Sequence, residues 1–173
     1  MEIIASQLEL APWSFTIYTS RDVVVSISFG QAFLQRDVQH LCARTKGTVT
    51  LQQGSPAPAA QAAFQQLVEY LQGARRAFTV PYQAYGTAFE QAVWRQLEQV
   101  PYGQTISYGE LAKRAGTAGV RAVGSAVGRN PLPIVIPCHR IVQADGRLGN
   151  YSGGEGPATK RRLLALEGCN IPE

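Results

Sequence analysis

Cys138 stands in the run Ile136-Pro137-Cys138-His139-Arg140-Ile141-Val142, directly after apolar residues and directly before an imidazole and a guanidinium. A free thiol titrates near about 8.5 and attacks carbon only as its thiolate, so it needs a neighbouring base or cation. His139 can serve, directly or through a water. Adjacent side chains on an extended strand point to opposite faces, so a direct hydrogen bond needs a turn here, and a water relay is the easier geometry. The competing reading is an inert core cysteine, the usual fate of a thiol that follows an apolar run. Cys42, Cys138 and Cys169 are an odd number with no close pair, which argues for free thiols. His40 and His139 form no recognisable ligand set with them, so neither a metal nor a cofactor is expected.

The residues around Cys138 must hold it. Asn130-Pro131-Leu132-Pro133-Ile134-Val135-Ile136-Pro137 carries three prolines, which predict a rigid, buried and extended approach to the thiol. Downstream, Gly149-Asn150-Tyr151-Ser152-Gly153-Gly154 has the glycines for tight turns, and its backbone donors and Tyr151 could line a pocket. A last helix opens on Pro157 and stops before Gly168, with Leu163, Leu164 and Leu166 facing inward. Glu167 at its C-terminal end opposes the helix dipole. That local cost calls for a tertiary partner such as a histidine, with an ordinary surface glutamate as the alternative.

Farther out, Ser14–Thr19, a Ser20-Arg21-Asp22 turn and Val23–Phe29 ending at Gly30 read as a β-hairpin. The Gly54-Ser55-Pro56-Ala57-Pro58 stretch breaks the chain, and a helix over 60–72 then places Phe64, Leu67, Val68 and Leu71 on one face before Gly73. Together these predict a small α/β lobe over 1–78, with 79–86, holding Pro81 and Gly86, as a linker.

Residues 87–173 are punctuated as helices. Thr87 with Glu90 forms a capping box for a helix whose Phe89, Val93 and Leu97 face the core, ending at Pro101-Tyr102-Gly103. Ser107 with Glu110 opens a second helix through Leu111 and Ala112 to Gly116, and a third runs from about 119 to 127. Such a pair fits a helix-turn-helix, and it also fits a plain packing unit. On the third helix Ala122, Gly124, Ser125 and Ala126 leave few side chains to read base edges, so the face suits another helix or the minor groove. Arg121 beside it favours insertion into a duplex.

The net charge of +4 permits a nucleic-acid partner without requiring one. Lys113, Arg114, Arg129, Arg140, Arg147 and the Lys160-Arg161-Arg162 cluster add basic character to this half, some of them as solvated charges. With 45% hydrophobic and 16% charged residues in 173, the chain is an ordinary folded one, not a disordered tail. Its start lacks a signal peptide's pattern and no apolar run is long enough to span a bilayer, which predicts an intracellular protein without a membrane partner.

Ile136-Pro137-Cys138-His139-Arg140, with Asn150-Tyr151-Ser152-Gly153-Gly154 downstream and Val100-Pro101-Tyr102-Gly103 through Ser107-Tyr108 upstream, resembles the O6-alkylguanine-DNA alkyltransferase family from about Gly86 to Gly168. The resemblance implies an α+β fold, with a ribonuclease-H-like N-terminal lobe and a helical C-terminal lobe holding the site and a helix-turn-helix. It implies double-stranded alkylated DNA as partner, bound in the minor groove, with Ala122, Gly124 and Ser125 against it and Arg129 at a phosphate. The order of glycine and basic residue at Val127-Gly128-Arg129 varies among relatives, and the zinc ligands of certain relatives are absent here. The guanine would be flipped out, Arg121 filling its place and Tyr108 helping to rotate and hydrogen-bond it.

By the same resemblance Cys138 attacks the alkyl carbon while His139 and Glu167 relay the thiol proton through water. Asn130 holds the connection between helix and site. The backbone of Cys138 and Ile141 accepts from the base's amino group, Ser152 donates to the substituted oxygen, and Tyr151 and Gly153 line the pocket. A thioether has no good leaving group, so each molecule acts once. O4-alkylthymine is a second candidate base. The resemblance further implies a cytoplasmic protein, nucleoid-associated in a bacterium, and a monomer, with cooperative assembly on DNA left open. A transcription factor, a non-catalytic damage-binding protein and a cysteine hydrolase are the competing functions.

Overall fold

The computed structural model describes residues 1–29 and 35–172. The chain divides into two compact units, Met1–Tyr85 and Gly86–Glu173. No described helix is long and apolar enough to cross a membrane.

The first unit is a four-stranded sheet with two helices. β1 (Glu2–Leu10), β2 (Trp13–Ser20) and β3 (Val23–Phe29) are antiparallel neighbours, and β4 (Thr48–Leu51) joins β1 in parallel, giving the order β3-β2-β1-β4. The expected hairpin is β2–β3, turning at Arg21 in a left-handed conformation with φ 53°; Gly30 lies outside the described residues. β1 escaped the sequence reading because its alternation is broken: Ala5 and Ser6 are both buried, and the Ser6 hydroxyl accepts from the Ala57 amide at 3.2 Å. Helix α1 (Gln35–Thr45) has too few apolar residues to announce itself, and it buries Leu41 against Ile3, Ala5, Tyr18 and Val25.

Helix α2 (Pro58–Leu71) starts on Pro58, and Gly73 follows its end at φ 76°. Its buried face is Ala60, Ala63, Leu67 and Tyr70, with Phe64 only half-buried, so the contact is centred one residue away from the expected stripe. Within the expected linker, the Val24 amide donates to Pro81 O at 3.0 Å and the Gln83 amide to Val24 O at 2.9 Å. Residues 81–83 therefore run along β3 and do not form a free tether.

The second unit holds the Cys138 region. Helix α3 (Ala88–Glu98) carries the full capping box between Thr87 and Glu90 and buries Glu90, Val93, Trp94 and Leu97. Phe89, expected in the core, is 38% exposed, because the buried stripe runs through 90, 93, 94 and 97 and leaves the second helical residue at its edge. β5 (Ile106–Ser107) pairs in parallel with β6 (Ile141–Val142). Ser107 caps α4 (Tyr108–Arg114) by accepting from the Glu110 amide at 3.1 Å, while the Glu110 carboxylate turns outward to Arg114 at 3.0 Å. Only half of that capping box forms.

Gly116, at φ 71°, stops α4, and α5 (Val120–Gly128) follows, held to α3 by the Trp94 indole donating to Ala126 O at 2.8 Å. The Asn130–Pro137 segment buries Leu132, Ile134, Ile136 and Pro137 but is not extended. The Ile136 amide donates to Leu132 O at 2.8 Å and Ile134 sits at φ 72°, so the prolines punctuate a tight turn. Cys138–Arg140 is a single turn of 3-10 helix, and α6 (Pro157–Leu166) closes the unit with Leu163 and Leu164 buried and Leu166 half-buried.

Candidate active site

The turn before Cys138 exists because Asn130 closes it. Its amide donates to Ile136 O at 2.7 Å and its carbonyl accepts from the Leu132 amide at 3.0 Å. The same side chain, arriving directly after α5, faces the Cys138 sulfur, as does Tyr151, and both favour its anion. Cys138 is 7% exposed. Burial pushes its thiol above the ordinary value, and Asn130, the charge of Lys160 and Tyr151 oppose that push. The sulfur is thus desolvated yet surrounded by groups that favour its anion, which is how a nucleophile is prepared.

His139 is fully buried, and its Nε2 lies 2.8 Å from Glu167 Oε1. Burial depresses the imidazole below its usual range, against the opposing pull of Glu167. A neutral ring that donates from Nε2 carries its lone pair on Nδ1, the form able to take a proton. The unfolded chain protonates this histidine near about 6.5 while the folded protein resists. Stability should therefore be full above that value and fall as the pH drops below it. Urea midpoints at about pH 7.5 and about pH 5.5 should differ in that direction, and equal midpoints would contradict the neutral assignment.

Glu167, the C-terminal cap of α6, is a junction. Arg140 grips it with two parallel hydrogen bonds, Nε to Oε2 and Nη2 to Oε1, both 2.9 Å, and the Gly103 amide donates to Oε2 at 3.1 Å. Arg140 Nη1 also donates to Val100 O at 2.6 Å, with its guanidinium 5.7 Å from the Tyr102 ring centre. The dipole cost of a carboxylate at this end of the helix is offset by that cation. Gly103 has φ 77°, and a Cβ there would meet Glu167 O at 3.0 Å. Gly103→Ala should cost about 1–2 kcal/mol in urea unfolding, and a neutral result would show that the turn is free to relax.

The other sequence-predicted residues lie in the same unit. Tyr108 is the first residue of α4, and a Cβ added at Gly124 or at Gly149 would meet its ring at 3.9 Å or 3.7 Å. Burial, then the Cys138 charge, raises its phenol, so it faces the sulfur. Ile141 is fully buried; Tyr151 and Gly153 are half-buried; Ser152 is exposed, its hydroxyl 3.5 Å from Gly128 O. Arg121, Ala122 and Ser125 are exposed on α5 with Gly124 half-buried between them. Arg129 is exposed and paired at 3.4 Å with the buried Glu90 carboxylate, a partner the sequence did not suggest.

The reading missed Arg140 and Lys160 as site residues, grouping both with the general basic surface. Arg140 is 7% exposed and Lys160 fully buried. Lys160 lies three and four residues before Leu163 and Leu164, on their inward face, and that spacing was the available signal.

The family model of the 6-O-methylguanine DNA methyltransferase DNA-binding domain matches residues 88–169. A methylated-DNA--protein-cysteine methyltransferase of Mycobacterium tuberculosis is 45% identical over 120 residues, 68% of this chain and 72% of that protein. The chain belongs to the O6-methylguanine-DNA methyltransferase family. A crystal structure of Mycobacterium tuberculosis O6-methylguanine methyltransferase superposes with TM-score 0.78 at 33% identity, covering 98% of this chain and 95% of that one. Mycobacterium tuberculosis OGT in complex with DNA gives 0.76 at 33% identity, covering 95% and 92%. The mixed α+β fold is that of these O6-methylguanine-DNA methyltransferases.

Proposed function

We propose that this protein repairs alkylated DNA by direct reversal, moving the alkyl group of O6-alkylguanine irreversibly onto Cys138. The single observation that carries the reading is the buried Cys138 sulfur placed next in sequence to the buried His139–Glu167 pair. The relatives' names, and the DNA complex of the tuberculosis protein, support the substrate and the partner.

In this reading the first unit is the ribonuclease-H-like lobe, and residues 87–173, after the 79–86 connection, carry DNA binding and transfer. α4 and α5 act as a helix-turn-helix. The small-residue face of α5, Ala122, Gly124 and Ser125, lies in the minor groove, while Arg121 enters the duplex in place of the flipped base. Chemistry on a base requires that extrusion. Arg129 is assigned to Glu90 in the free protein and to a phosphate on DNA.

Tyr108 and Tyr151 wall the pocket with Gly153, the Cys138 and Ile141 carbonyls accept from the base's amino group, and Ser152 donates to the substituted oxygen. His139 takes the thiol proton through a water, with Glu167 stabilising the imidazolium. The sulfur lone pair then forms the S–C bond as the C–O6 bond breaks, its electron pair leaving with guanine, which takes up the proton. Binding both partners makes the displacement intramolecular. No cofactor enters these steps.

The test is incubation with a duplex containing O6-methylguanine, followed by the mass of the Cys138 peptide. One methyl in place of the thiol hydrogen supports the proposal, and an unmodified Cys138 beside an intact lesion overturns it.

A further inference from the structure

One strongly polar group lies against the Cys138 region without a part in the steps above. Lys160 is completely buried, and its ammonium donates to the carbonyls of Ile141 and, at 3.4 Å, Asn150. Ile141 follows the 3-10 turn that Cys138 opens, and Asn150 precedes Tyr151, which faces the sulfur. One side chain therefore ties the segment that follows the Cys138 turn to the loop that carries Tyr151. It does so from the first turn of α6, where a cation opposes the helix dipole, in a site where burying a charge is costly.

The charges around it make the placement intelligible. Glu167 is matched by Arg140 through two parallel hydrogen bonds. His139 is held neutral by burial, and the charges of Arg140 and Lys160 also disfavour its protonation. Asn130, Tyr151 and Tyr108, the other groups facing the sulfur, bring no positive charge. Of the groups facing Lys160, Cys138 and His139, only Cys138 can supply a matching negative charge, and it does so as the thiolate.

We propose that Lys160 is a positioning residue for the transfer: it ties the segment after the Cys138 turn to the Tyr151 loop and supplies the buried positive charge that the reacting thiolate needs. The proposal rests on the reading of Cys138 as the acceptor. Burial pushes the Lys160 ammonium down to about 8, and the Cys138 charge works against that fall, as the pairing requires.

The experiment follows the reaction of Cys138 with iodoacetamide across pH, read by peptide mass, in the full chain and in Lys160→Gln and Lys160→Met, with folding checked by circular dichroism. Glutamine keeps a donor for a carbonyl and loses the charge; methionine loses both. Each variant should move the midpoint of the rate profile up by about one unit, a loss of about tenfold at neutral pH. A folded Lys160→Gln whose profile superimposes on the wild type overturns the proposal.

If neither variant folds, the wild type decides. The Lys160 ammonium, titrated by NMR before and after Cys138 is blocked with iodoacetamide, should titrate at lower pH once the sulfur can no longer become negative. An unmoved titration overturns the proposal. Because iodoacetamide needs no DNA, these results stand apart from the duplex experiment: a duplex that leaves Cys138 unmodified removes the alkyltransfer reading, not the effect of Lys160 on the thiol.

Discussion

Cys138→Ser should abolish alkyl transfer, slowing it by at least about a thousandfold, while duplex binding changes by less than about twofold. A serine hydroxyl loses its proton far less readily than a thiol, and burial raises that cost further in a site where the sulfur is 7% exposed. Asn130 and Tyr151, which favour a thiolate, would face a neutral oxygen. Binding should survive because the exposed α5 residues Arg121, Ala122 and Ser125 are untouched. Labelled-methyl transfer and a gel shift on the same duplex measure the two properties. Retained transfer would move the acceptor to Cys42 or Cys169, both half-buried free thiols.

Arg140→Met should have the largest effect on stability. It leaves the Glu167 carboxylate buried with His139 and the Gly103 amide but without its cation, and it removes the donor to Val100 O. Breaking one side of a buried ion pair costs about 3–5 kcal/mol. At about 4–8 °C per kcal/mol for a unit of this size, the second unit should melt at least about 12 °C lower. Loss of the guanidinium also lets His139 hold a proton more readily, because Arg140 is among the charges that depress it, so transfer at neutral pH should slow beyond the loss of folded protein. The double variant Arg140→Met, Glu167→Gln removes the stranded charge and should recover part of the stability without the activity. A single variant that melts within about 2 °C of wild type would mean that Glu167 is satisfied without Arg140.

The parts of the site legible in the sequence were those written in local chemistry. Thr87 and Glu90 announced their capping box, Pro157 and Gly168 bracketed α6, and Glu167 at a helix C-terminus pointed to a tertiary partner that turned out to be His139. What stayed hidden depends on long-range closure. Nothing within a few residues of Arg140 reveals that it reaches Val100 and Glu167, 40 and 27 positions away.

Lys160 was hidden by its neighbours, since Arg161 and Arg162 are exposed and make the triplet look solvated. The proline-rich approach to Cys138 was misjudged in shape because proline fixes φ and leaves ψ free. Asn130, by closing the turn onto Ile136 and Leu132, decides the path. In the first unit the hairpin followed from clean alternation, whereas β1 broke its alternation at Ala5 and Ser6, and α1 carried too little apolar content for periodicity to register.

The central claim is that Cys138 is both the group that reacts and the place where the alkyl group stays. Its most direct measurement is a titration of the protein with increasing excess of duplex containing labelled O6-methylguanine, read as methyl groups bound per protein molecule at completion. The account predicts a plateau at one methyl per chain, all of it on the Cys138 peptide, with no further lesion consumed however long the mixture stands. Continued loss of lesion beyond one equivalent, or a label that leaves the protein, would contradict it.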